Sequence, residues 1–326
     1  MGKILMCCPG MYNIKDAIIR HCLKRHASNL SEAVGSLKEL PFVPEFIFQN
    51  IRWDEFDDGS PNNFFENNEV IKGSDVFFIA DFEDTNKIFN RLGPIYALPH
   101  YGAKSLTVFI PYFPTATMER VGNPGQIATA KTLMRMLNAI PHCHGSGPTR
   151  VIIYDIHSLA VQHFHGDGII VELQSAIPLF LQQLDWPRRT SEKLVFAFPD
   201  DGAKKRFHNF FLDPCVICSK DENKQVTIKD GLKFIDGNHV VIIDDMVRNG
   251  DTIINCEAVL RHYGASAVSA YVTHGVFPKN SWHKFCNPNF TYFWVTDSCE
   301  AARNINYGSF KIISLSNLIY EEISRS

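Results

Sequence analysis

The sequence predicts an α/β protein with two similar domains, each a mostly parallel sheet flanked by helices. Three observations predict it. Short apolar runs alternate with helically spaced segments along the whole chain, the order that lays parallel strands beneath crossover helices. The runs are near-continuously apolar rather than alternating, as strands covered on both faces require. The pattern begins again after "VIIYDIH", with loop chemistry in "HGSGPT" at a join near residues 145–165. A first domain is therefore expected over 1–160, which the C-terminal segment 312–326 can complete, and a second over 161–311.

In order along the chain, "KILMCC" is the first strand, and "IKDAIIRHCLKRH" is a helix with Ile14, Ile18 and Cys22 on one face. "FIFQNIRW", "DVFFIADF" and "SLTVFIPYF" are strands. Between the last two, "NKIFNRLGPIYALPHYGA" has helical spacing, with a break expected near Gly93 and Pro94. The helix "QIATAKTLMRMLNAI" stops at Pro141. Strands "VIIYDIH" and "GIIVEL", helix "AIPLFLQQL", strand "LVFAFPDD" and a helix after Gly202 follow. Next comes "HVVIIDD", a strand ending in two acids, and then the helix "TIINCEAVLRHYG". That helix places Ile253, Cys256, Leu260 and Tyr263 on one side and closes at Gly264, suited to the left-handed cap position. Strands "AVSAYVTHGVF", "FTYFWVTD" and "FKIISLS" and a short helix around Leu318 to Ile323 complete the chain.

Composition narrows the function classes. An apolar fraction of 45% over 326 residues supports a packed core. A net charge of −3 without a basic block offers no electrostatic support for a nucleic-acid partner. Met1 to Gly10 lacks the apolar core of a signal peptide, and no stretch approaches the roughly 20 apolar residues of a membrane span. Nine scattered cysteines, an odd number, suit reduced thiols in a cytoplasmic protein without a membrane partner. Cys215 and Cys218 form one C-x-x-C, but a zinc site needs two more ligands and no second C-x-x-C exists. "HCH" at 142–144 and "HFH" at 163–165 read as loop histidines.

In open parallel sheets, ligands bind at the carboxyl ends of the strands. The polar clusters fall there: "FIPYFPTATMER", "YDIH", "FPDDGAKKRF" and "IIDDMVRNGDT". Adjacent Asp244 and Asp245 need hydroxyls, a cation or water, because unpaired buried charge is too costly. Vicinal sugar hydroxyls offer donors to both acids. The loop Met246 to Thr252 leads into a helix start, whose free N–H groups and dipole favour an anion. Diol and phosphate together describe a ribose phosphate. The plainer alternative is a solvated strand end followed by a helix capped by Asp251 or Thr252.

These residues resemble the ribose-phosphate motif of type I phosphoribosyltransferases. From about Phe46 to Ser316 the chain resembles one branch, the ribose-phosphate diphosphokinases or phosphoribosyl pyrophosphate synthetases. "VIIYDIH" and "FPDDGAKKRF" are similar to that family's D-x-H and P-D-x-G segments, and "FDDG" at 56–59 to its adenine-side loop. "IPYFPTATMERV", "VSAYVTHGVFPKNSW" and "YFWVTDS" resemble the phosphate-independent class described from plants. The resemblance implies two phosphoribosyltransferase-like domains, ATP and ribose 5-phosphate as substrates, Mg²⁺ as cofactor and a homo-oligomer. It implies transfer of the diphosphoryl group of ATP to the 1-hydroxyl of the sugar, giving phosphoribosyl pyrophosphate and AMP. By the same resemblance, His157 and Asp200 are metal-associated, with His157 also catalytic. Asp244 and Asp245 hold the ribose hydroxyls. Arg248, Asn249, Gly250, Asp251 and Thr252 surround the 5-phosphate. Phe56 and Asp58 meet the adenine, Arg120 the ATP phosphates, and Lys220 is the catalytic cation.

The chain departs from the family pattern in two places. Asp251 stands where the family has a glycine. A negative charge so near a phosphate costs on the order of several kcal/mol at an effective dielectric near 20. Arg248 can offset that, or Asp251 can turn outward as an N-cap. In the segment after "VIC", Lys220 fits the family's lysine, but the following arginine position holds Glu222, for which Lys224 is a poorer substitute. Three readings therefore stand: an active diphosphokinase, a catalytically impaired relative that binds nucleotides as a regulatory subunit, and another phosphoribosyl enzyme such as a base transferase.

Overall fold

The computed structural model describes residues 2–26, 42–43, 46–184, 193–211, 214–220, 226–286 and 290–326. It divides into two compact units, Met1–Gln174 with Ser316–Ser326, and Ser175–Leu315.

The first unit contains β1 (Lys3–Cys7), α1 (Tyr12–His26), β2 (Phe42–Val43), β3 (Phe46–Phe48), β4 (Ile51–Glu55) and β5 (Pro61–Phe65). It continues with β6 (Asp75–Ile79), α2 (Ile88–His100), β7 (Ser105–Ile110), α3 (Thr129–Asn138), β8 (Thr149–Tyr154) and β9 (Ile169–Gln174). Among the described residues its main sheet has the order β2-β3-β1-β6-β7-β8-β9, parallel except for β2 against β3. Ile14, Ile18 and Cys22 are all fully buried on α1.

The second unit contains α4 (Ile177–Gln183), β10 (Leu194–Phe198), α5 (Asp201–Phe207), β11 (Cys215–Lys220), β12 (Val226–Asp230), β13 (His239–Val247) and α6 (Asp251–His262). After these come β14 (Ala267–Gly275), β15 (Phe293–Thr296), α7 (Glu300–Arg303) and β16 (Phe310–Ile313). Its sheet has the order β12-β11-β10-β13-β14-β15-β16, parallel except for β11 against β12. Both sheets thus set six parallel strands beside one antiparallel strand at the corresponding edge, and each unit's first strand stands third in the order. The last helix, α8 (Ser316–Arg325), belongs to the first unit, where Arg150 on β8 grips Glu322 at 2.7 Å and Glu172 on β9 at 2.8 Å.

The structure corrects several expectations. "FIFQNIRW" is two strands, because β4 leaves the main sheet to pair with β5 in a separate hairpin. The expected boundary at residue 160 cuts β9 from the first unit, yet β9 pairs with β8 from Thr149–Ile169 to Tyr154–Gln174. Helix α2 runs unbroken through Gly93 and Pro94. Pro94 lacks the N–H that would bond the carbonyl of Asn90. Asn63 on β5 supplies the missing donor, with its Nδ2 3.3 Å from that carbonyl and 2.7 Å from Asn90 Oδ1. Tyr263 does not share the buried face of α6, since it caps the helix and is exposed, while Gly264 beyond it is left-handed at φ 89°.

Candidate active site

The sequence places Asp244 and Asp245 at a strand end. β13 in fact runs on to Val247, paired with β14 through Met246–His274 and Val247–Gly275. On its other side β10 pairs only as far as Ala197 opposite Ile242. The two acids therefore lie past the last β10 pairing while still held by β14, and α5 reaches in beside them.

Arg206, in the last turn of α5, donates to Asp245 Oδ1 and stands 3.7 Å from Asp244 Oδ1. Asp245 is buried at 1% exposure, and Asp244 is the more open of the two. Desolvation pushes the Asp244 carboxyl well above the usual carboxylate range, the charges of Asp245 and Asp200 add to the rise, and Arg206 opposes it. The acids are thus unlike in kind. Asp245 is paired with Arg206, whereas Asp244, which Arg206 only approaches, would need a donor or a cation to hold its charge.

The loop after β13 is shaped for close approach. Gly250 is the N-cap of α6, with φ 86°, and a Cβ there would fall 2.4 Å from Phe285 Cζ. Only glycine meets both demands. The cap is therefore Gly250, not Asp251 or Thr252. The first helical bond runs from Ile254 N to Gly250 O at 3.0 Å, so the N–H groups of residues 251–253 have no acceptor within the helix. Lys220, the last residue of β11, donates from Nζ to Thr252 Oγ1 at 2.9 Å. Arg248 and Asn249 are exposed on the loop. Asp251 does turn outward, and Lys284 holds it at 3.0 Å.

Asp200 caps α5, with its Oδ1 accepting from Ala203 N at 2.8 Å, and its side chain remains exposed. Among the described residues no three His, Cys, Asp or Glu side chains cluster to cage a metal. A single exposed carboxylate near Asp244 instead suits Mg²⁺, which takes one or two carboxylates and completes its shell with water and substrate phosphates. Cys215 and Cys218, three apart on a strand, face opposite sides, and Cys218 Sγ packs 3.4 Å from Cys256 Sγ in the core.

The remaining expected residues belong to the first unit. Phe56 and Asp58 occupy the tip of the β4–β5 hairpin, where Phe56 is 55% exposed. Ser60 donates to Asp58 Oδ1 from its N–H at 2.9 Å and its hydroxyl at 2.5 Å, which holds the Asp58 carboxyl below its ordinary value. Arg120, on the loop after β7, is mostly exposed, 3.5 Å from Glu119. His157 follows β8, half-buried, two residues after the positive-φ Asp155. Glu222 and Lys224 lie outside the described residues. Sequence reasoning missed two residues, Arg206 and Lys284. A basic side chain in the quoted "FPDDGAKKRF" signals the first, whereas nothing local marks the second.

A parallel sheet whose central strand carries two acids into a glycine-capped, anion-ready helix defines the class: an α/β protein of phosphoribosyltransferase type. The family models agree. The N-terminal domain of ribose phosphate pyrophosphokinase matches residues 29–140, and the phosphoribosyl synthetase-associated domain matches 219–326. The chain is 43% identical over 288 residues to ribose-phosphate pyrophosphokinase 4 of Oryza sativa subsp. japonica, covering 84% of this chain and 87% of that one. It is 42% identical over 284 residues to the chloroplastic ribose-phosphate pyrophosphokinase 3 of Arabidopsis thaliana, covering 83% and 68%. In fold it matches phosphoribosylpyrophosphate synthetase from Mycobacterium smegmatis with a TM-score of 0.75 at 19% identity, over 99% of this chain and 98% of that one. The chain belongs to the ribose-phosphate pyrophosphokinase family.

Proposed function

We propose that this protein transfers the diphosphoryl group of ATP to the 1-hydroxyl of ribose 5-phosphate, releasing AMP and phosphoribosyl pyrophosphate for nucleotide synthesis. Family membership supports the reaction class. The observation that carries it to this site is the hydrogen bond from Lys220 to Thr252, which sets a cation at the mouth of an anion-binding helix.

The hydroxyl oxygen attacks the β-phosphorus, the bond to the α,β-bridging oxygen breaks, and the hydroxyl proton is released. Protein catalysis of such a step is positioning and charge stabilisation. On this reading Asp244 accepts from the ribose hydroxyls while Arg206 keeps Asp245 neutralised behind it. The N–H groups at 251–253 and Thr252 hold the 5-phosphate, with Arg248, Asn249 and Gly250 around it. Lys220 stabilises charge on the transferring group. In the first unit, Phe56 stacks on adenine, Asp58 accepts from it, and Arg120 meets the phosphates. Asp200 would hold Mg²⁺, and the ion would supply charge neutralisation on the phosphate oxygens; His157, in the first unit, has its metal-associated role from the family resemblance alone.

An impaired, regulatory relative is the less favoured reading. Asp251, one of its two supports, is ion-paired and turned outward. The exposed Phe64, Phe89 and Tyr101 around a cavity of about 480 Å³ between β5 and α2 suit a homo-oligomer. No helix among the described residues is long and apolar enough to cross a membrane. Nine free cysteines suit a cytoplasmic protein, although relatives include an organelle form; cell fractionation decides between these locations. The direct test of function is AMP release from ATP in Mg²⁺ buffer. It should depend on ribose 5-phosphate, and ribose-independent or absent release from folded protein removes the assignment.

A further inference from the structure

The segment after β14 braces the phosphate loop residue by residue. Ser281 Oγ donates to the carbonyl of Arg248 at 2.8 Å. Lys284 Nζ donates to the carbonyl of Asn249 at 3.0 Å and to Asp251 Oδ1 at 3.0 Å. Phe285 packs where a Cβ on Gly250 would stand. Just before this brace the backbone is left-handed at Phe277, Lys279 and Asn280, with φ of 40°, 54° and 59°. Strain of that kind persists only where surrounding contacts hold it, and it concentrates at functional sites.

We propose that Lys284 is a positioning and charge-compensating residue for binding the 5-phosphate, and that it makes Asp251 tolerable at the helix mouth. This rests on the ribose 5-phosphate assignment above. Asp251 by itself would repel a phosphate dianion. Its carboxylate is instead paired outward by Lys284, whose second bond fixes the Asn249 carbonyl and so the loop beside Gly250. Lys284 is half-exposed, with a side-chain exposure of 49%, so its replacement leaves the core intact. It touches the loop and Asp251, not the reacting atoms.

The test is calorimetric titration of ribose 5-phosphate, with ribose as the control ligand, together with KM and kcat. Lys284→Met should weaken ribose 5-phosphate binding and raise its KM by about three- to tenfold, the range of a partly screened charge. Its kcat at saturation and its affinity for ATP should stay within about twofold, well inside the smallest expected shift. Lys284→Arg should restore most of the binding. The decisive variant is Lys284→Met combined with Asp251→Asn. Recovery of most of the lost affinity supports charge compensation, whereas a double variant as weak as Lys284→Met alone overturns it. An unchanged KM in Lys284→Met also overturns it while leaving the reaction assignment standing. Failure of the wild-type protein to bind ribose 5-phosphate defeats that assignment instead.

Discussion

Lys220 and Thr252 are 32 positions apart, yet Lys220 Nζ donates to Thr252 Oγ1 at 2.9 Å. The contact joins the end of β11 to the first turn of α6, and so joins a cation to the free N–H groups of a helix. Lys220→Ala should lower kcat by about 10²–10³, the effect of removing one stabilising donor from a transition state. KM for ribose 5-phosphate should rise as well, because Lys220 also holds Thr252 of the 5-phosphate site. Steady-state kinetics of AMP release checks both, and an unchanged kcat would return Lys220 to the role of a surface contact.

Asp245 and Asp244 should separate stability from binding. Asp245→Asn breaks the closest ion pair of Arg206 and leaves Asp244, at 3.7 Å, as the nearer remaining acid, a loss of up to about 3–5 kcal/mol for a broken buried pair. Its urea midpoint should fall clearly below that of the wild-type chain.

Asp244→Asn should do the opposite. The folded Asp244 carboxyl titrates above its unfolded value because burial disfavours its charge. Between those values the folded chain holds more protons, so the stability this group contributes is full below the unfolded value and lost as pH rises through the folded one. Asp244→Asn should therefore raise the unfolding midpoint at pH 7 more than at pH 4, while abolishing ribose 5-phosphate binding. Paired thermal melts at the two pH values read the difference.

Phe56 is more than half exposed at a hairpin tip, so truncating it should leave the melting temperature unchanged. Phe56→Ala should raise KM for ATP by about two- to tenfold, the worth of one aromatic stacking contact. Initial rates at varied ATP check this.

Asn63→Leu should destabilise the first unit by about 1–3 kcal/mol, because the carbonyl of Asn90 loses its substitute donor. In a Pro94→Ala background the backbone N–H is restored, and the penalty should shrink. A double-mutant cycle followed by urea unfolding measures that coupling.

What the sequence makes legible is local. The apolar runs that became β6, β7, β8, β13 and β14 are readable because a doubly covered strand needs such a run. Gly264 is readable because few residues tolerate its conformation, whereas the cap at Gly250 is not, since Asp251 and Thr252 are equal or better cap types in the same stretch. The passage of α2 through Pro94 is not, since the donor that repairs it comes from Asn63 on another element. The short β11–β12 ladder is hidden for a similar reason: its edge strand "VTIKD" carries little apolar signal. At the site, the acids and the loop stand out together, but their charge partners do not. Arg206 pairs across 39 positions and Lys284 across 33, and only folding brings such charges together. The penalty that Asp251 implies by itself counts one side of an ion pair, and the other side is Lys284.

The fate of the β-phosphorus of ATP separates diphosphoryl transfer from other uses of ATP. Incubate the protein and Mg²⁺ with ribose 5-phosphate and ATP labelled at the β-position. The label should appear on a diphosphoryl ester of ribose 5-phosphate, with AMP unlabelled and formed in equal amount. Label recovered in ADP, or AMP formed without a labelled sugar product, would contradict it.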